Sequence, residues 1–145
     1  MHNNVLLSYR LLYYTYGLLP IVVGIDKFFG LIAYWVMYLN PIIPLYLQMT
    51  PEVFLYIFGV LEILVGLLIL WKPNIGGYVV ATVLLLVSIN LFTIHDAYEG
   101  TTLVRTYYDI AFRDIAMAVG AIVLSLLSQQ LQGNEHPKHM MREHI

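Results

Sequence analysis

The sequence predicts an all-α integral membrane protein: a four-helix bundle with an interfacial or re-entrant segment after the first helix. Three observations carry this. Of 145 residues, 60% are hydrophobic and only 11% are charged, whereas soluble domains carry about 25% charged residues. A core of this size has no room for so much apolar surface. The apolar residues also gather into runs near the length of about 20 that a bilayer crossing needs.

The first run covers residues 5–25 and ends at Asp26-Lys27, with Pro20 inside it. A proline there frees a backbone carbonyl and can kink the helix. The second covers 53–71. Thr50-Pro51-Glu52 opens it with an N-cap, a proline at the first position and an acid in the first turn. Lys72-Pro73-Asn74 closes it. The third covers 75–94 without a charge. The fourth covers 106–131, with Asp109, Arg113 and Asp114 in its first turns. Residues 1–131 thus form the helical bundle, and 132–145 form a polar tail expected to be mobile.

Residues 28–49 are uncharged and aromatic, but Asn40-Pro41 and Pro44 interrupt them. About a dozen residues before the break are too few to span, so an interfacial or re-entrant segment is expected. Tyr34, Trp35 and Tyr38 suit the headgroup belt, as do most of the 12 tyrosines. Four spans place both termini on one side. Arg10, Lys72, Lys138 and Arg142 on that side outnumber Lys27, Arg105 and Arg113 on the other, which points to cytoplasmic termini. The expected location is the plasma membrane of a prokaryotic cell, in multi-pass form. The N-terminus lacks the basic start and small-residue cleavage site of a signal peptide, so the first run reads as a retained helix.

A net charge of −2 with no basic stripe argues against nucleic acid as a partner. The absence of cysteine excludes disulfides and thiolate metal sites. A charge inside a span costs about 2.5–3.5 kcal/mol at the helix centre, so the embedded charges are the candidate site. Glu62 sits near mid-membrane, with Gly59 and Gly66 on the same helix side. Asp26, Lys27, His95, Asp96, Asp109, Arg113 and Asp114 lie at helix ends on the side away from the termini. Together with Glu62 they form a predicted polar intramembrane cluster. Asp109 and Arg113 are spaced to pair along one face. Glu62 is within reach of Arg113 or Lys27 if these point inward. The cluster reads either as a register-setting network or as a pocket for a small polar ligand, a quinone headgroup or a proton.

His95 is expected to be an interfacial hydrogen-bonding group, since the other four histidines lie in terminal segments and leave no second intramembrane haem ligand. The tail, with His136, His139, Met140, Met141 and His144, has copper-compatible donors but no recognised spacing. No metal site and no catalytic motif is assigned.

Three pieces resemble the DoxX-like family of small four-helix membrane proteins. Arg10 leads a span ending Gly24-Ile25-Asp26-Lys27-Phe28. Glu62 opens the run Glu62-Ile63-Leu64-Val65-Gly66-Leu67-Leu68-Ile69-Leu70 in the second span. A charged start opens the last helix. The resemblance covers residues 9–127. It implies a four-helix bundle associated with membrane oxidoreductase systems, and it carries over Lys27 and Glu62. Residues 28–49 depart from the short family members and would suit a protein–protein contact.

The expectation is therefore an accessory, structural or modulatory subunit of a larger membrane oxidoreductase, quinone-linked or of monooxygenase type. Its partners would be the bilayer and other redox subunits. Gly17, Gly24, Gly59 and Gly66 would support helix–helix assembly. The alternatives are a stand-alone membrane protein binding quinone, lipid or another small molecule, and a small carrier using Glu62 and Arg113.

Overall fold

Thr50 has extended backbone (φ −75°, ψ 152°), and its hydroxyl accepts the Val53 N–H at 3.4 Å. That N-cap, with Pro51 at the first helical position, starts a helix the sequence anticipates. The computed structural model describes the backbone of residues 2–94 and 103–140. Within them lie α1 (His2–Phe29), a 3-10 turn (Trp35–Tyr38), α2 (Ile42–Tyr46), α3 (Pro51–Trp71), α4 (Pro73–Thr93) and α5 (Leu103–Met140).

The protein is an all-α four-helix bundle. Four helices are long and apolar enough to cross a bilayer: Asn3–Phe29, Pro51–Trp71, Pro73–Thr93 and Tyr107–Gly133. Residues 28–49 do not form a fifth. Asn40-Pro41 and Pro44 leave them a 3-10 turn and a five-residue helix. Three boundaries differ from expectation. α1 begins earlier and continues through Pro20 to Phe29. α4 starts at Pro73, because a residue before proline is pushed out of the helical region and proline suits a first turn. Lys72 (φ −135°, ψ 78°) is therefore the whole connection between α3 and α4. α5 does not stop near 131 but runs to Met140, so the first residues of the expected tail prolong it. Its 38 residues are about 57 Å long at 1.5 Å per residue.

α4 packs most extensively on α5, and α1 on α3. Small residues allow both contacts. On α5, Ala111, Ala118, Ala121, Ser125 and Ser128 are buried. Their near-heptad spacing makes a seam against α4, where Gly77 meets the Ala121 backbone and Ser125. Hydroxyls bind carbonyls across the same seam. The one Ser88 hydroxyl proton is shared between the Ala111 carbonyl across the seam and the Leu84 carbonyl of its own helix, each at 3.0 Å, and Ser125 Oγ donates to the Pro73 carbonyl at 3.2 Å. Tyr16 ties α1 to α5 through the Met117 carbonyl (2.6 Å). Tyr13 binds the Leu70 carbonyl (2.7 Å), one of the groups α3 leaves unpaired at its C-terminus.

Large apolar side chains crowd the outside. Leu7, Leu11, Leu86, Phe112 and Val119 are all more than half exposed. Such a surface is suited to lipid rather than water.

Candidate functional site: a clamped intramembrane ion pair

The site begins with two glycine contacts. α1 and α3 run antiparallel, and Gly24 faces Gly59 while Gly17 faces Gly66. A Cβ on Gly24 would stand 2.6 Å from the Gly59 carbonyl oxygen, and one on Gly59 would stand 2.7 Å from that of Gly24. A Cβ on Gly66 would lie 2.6 Å from the Gly17 carbonyl. Only bare backbones fit at this distance. The glycines predicted to support assembly thus do so within the chain, holding α1 on α3.

The same approach sets the ion pair. Side chains on a helix lean toward its N-terminus. Lys27 on α1 and Glu62 on the antiparallel α3 therefore lean toward each other, past the Gly24–Gly59 contact. Lys27 Nζ donates to Glu62 Oε2 at 2.5 Å, and the two side chains are only 4% and 15% exposed. Glu62 lies midway along α3, about 16 Å from Pro51 by helical rise. The pair thus joins the last turn of α1 to the middle of α3.

Asp26, beside Lys27, closes the end of α1. Its carboxylate accepts the N–H groups of Leu31 (2.8 Å), Ile32 (3.0 Å) and Ala33 (3.3 Å), as well as the Trp35 indole N–H (2.7 Å). Gly30 permits the reversal: its φ is +63°, and its N–H returns to the Asp26 carbonyl at 2.6 Å. The reversal lays Trp35 over the ion pair, with Lys27 Nζ 4.0 Å from its ring centroid and 5.7 Å from that of Phe58. One indole thus binds Asp26 through its edge and Lys27 through its face.

A second attachment is uncharged. Asn40 donates its backbone N–H to Asn90 Oδ1 (3.0 Å) and its side-chain amide to Thr93 Oγ1 (3.2 Å). Its own Oδ1 accepts the Ile42 N–H at 3.0 Å. Asn90 Nδ2 donates to the Tyr38 carbonyl at 2.7 Å, and the Tyr38 ring meets Tyr107 edge-on. Residues 30–49 are thus fastened to α1 at their start and to α4 near their middle.

The predicted cluster divides. Asp26, Lys27 and Glu62 come together. Asp114, half-buried on α5, lies within electrostatic range of Glu62, and no cation among the described residues pairs with it. Arg113 does not reach Glu62. It pairs with Asp109 at 2.6 Å, and both side chains are more than half exposed. One helix turn serves Arg113 better than a reach across the bundle, and its side of α5 faces outward. His95 and Asp96 lie outside the described residues, as does the end of the His- and Met-containing tail. Among the described residues no three His, Asp or Glu groups gather as metal donors. Sequence reasoning missed Trp35, assigned to the headgroup belt, and also Asn40, Asn90 and Thr93. An asparagine within a span free of charge was the available signal for Asn90.

A search of family models, curated proteins and solved structures finds no match to the chain.

Proposed function

We propose that the chain is an accessory, modulatory subunit of a larger membrane oxidoreductase complex rather than an independent catalyst. The supporting observation is the closure of its most conspicuous polar site: Lys27 and Glu62 neutralise each other between two helices and beneath Trp35. In that arrangement their charges serve architecture. The redox assignment rests on the resemblance of the Gly24–Phe28 and Glu62–Leu70 segments to DoxX-like proteins. A mild-detergent pull-down of the native protein tests it, with co-eluting subunits and pigments identified by mass spectrometry and optical spectroscopy. Large redox subunits in fixed stoichiometry would support the proposal. A chain that elutes alone would sink it.

A second reading is favoured by Asp114. Its carboxylate adds negative charge close to Glu62 without adding a cation. A stand-alone protein binding a small polar molecule or quinone headgroup would use this surplus. Quinone co-purifying with the lone wild-type chain, and lost in Asp114→Asn, would select that reading.

A further inference from the structure

Residues 30–49 lie across one end of the bundle, over the Lys27–Glu62 pair, and four observations set them apart from a passive connection. They are bounded by left-handed backbone, at Gly30 (φ +63°) and at Gln48 (φ 55°). The second is a conformation that residues other than glycine rarely adopt. One attachment is to charged groups: Trp35 sits between the Asp26 carboxylate and the Lys27 ammonium. The other is made of neutral amides and a hydroxyl, through Asn40, Asn90 and Thr93. Finally, Trp35 does not touch Glu62 through any hydrogen bond of its own. It feels Glu62 through Lys27, whose ammonium Glu62 holds at 2.5 Å.

We infer that residues 30–49 form a lid, hinged near Gly30 and Gln48, whose Trp35 latch is held shut by the Lys27–Glu62 ion pair. A buried ammonium attracts the indole face because the site is desolvated. Its position is set by the carboxylate beside it. Neutralise that carboxylate and Lys27 is free to snorkel away from the ring toward water. The latch then keeps only the Asp26 bond, while the amide attachment at Asn40 is unaffected. The Trp35 side opens first, and what it uncovers is the Lys27–Glu62 pair between α1 and α3. Among the described residues, the charged groups at the latch are Asp26 and Lys27 from α1 and Glu62 from α3, with Asp114 of α5 in electrostatic range of Glu62. From α4 the described neighbours of the lid are the uncharged Asn90 and Thr93. This inference does not depend on the accessory-subunit reading.

Trp35 and Trp71 are the two tryptophans of the chain, so Trp71→Phe leaves Trp35 as sole reporter. In lipid nanodiscs, acrylamide quenching of that emission reads the latch. In the Trp71→Phe parent, Trp35 is expected to be shielded. Adding Glu62→Gln is expected to raise the quenching constant severalfold with helical circular dichroism unchanged. Should that variant misfold, Lys27→Gln with Glu62→Gln removes both charges and leaves no buried ion unpaired. It is expected to raise quenching in the same way. A folded variant of either kind that keeps the parent's shielding overturns the latch, as does a parent whose Trp35 is already fully quenched.

Discussion

A buried ammonium and carboxylate, as at Lys27 and Glu62, stabilise each other only while both are present. Removing one partner of a buried pair leaves an uncompensated charge, which costs about 3–5 kcal/mol, whereas replacing both by neutral groups is often close to neutral. Lys27→Met alone is therefore expected to lower the thermal midpoint in detergent sharply. Adding Glu62→Gln should recover most of the loss. Equal damage from the single and double variants would mean that the pair contributes nothing as a pair. How much of this was legible follows from the same residues. Glu62 could be identified because a charge midway along a largely apolar helix of 21 residues is costly wherever it points. Its partner could not be chosen between Lys27 and Arg113, because that depends on which face of α5 turns inward. Trp35 was hidden for a different reason. Its contacts depend on the path of a loop, and no periodicity encodes that path.

At the scale of elements, the glycine contacts between α1 and α3 carry the sharpest expectation. Gly24→Val places a branched side chain where even a Cβ would stand 2.6 Å from a carbonyl oxygen. Overpacking of this kind costs about 1–3 kcal/mol. Gly133, with nothing within 4 Å of a Cβ, is the contrast: Gly133→Ala in exposed helix should stabilise by about 0.5–1 kcal/mol. Thermal unfolding of both variants in one detergent checks the pair. At the other attachment, Asn40→Ala removes the side-chain bonds to Thr93 and to the Ile42 N–H. Hydrogen exchange at the Ile42 amide is expected to speed up, with α3 and α4 unaffected. Unchanged protection at Ile42 would place the attachment elsewhere. The helices were legible as elements because caps and prolines mark α3 and α4 locally. The extension of α5 to Met140 was not: Gln132 to Glu135 are polar, and the pattern that marks a span ends before the helix does.

For the whole molecule, the consequence of four crossings is a shared side for both ends. The chain has no cysteine, so single cysteines report without background. Asn3→Cys at the start of α1, Lys72→Cys between α3 and α4, and Gly133→Cys on α5 are expected to react with an impermeant maleimide from one face of a sealed vesicle. Gln48→Cys should react from the opposite face. Labelling of Asn3→Cys and Gly133→Cys from different faces would remove one crossing and undo the four-span fold.

The one-residue joint at Lys72 bears on how such a protein is made. With no slack between Trp71 and Pro73, neither α3 nor α4 can settle in the bilayer while the other remains outside at a distance. Whichever way α3 crosses, α4 must come straight back. The two are expected to insert as a pair, ahead of α5 and the buried seam on which α4 finally rests.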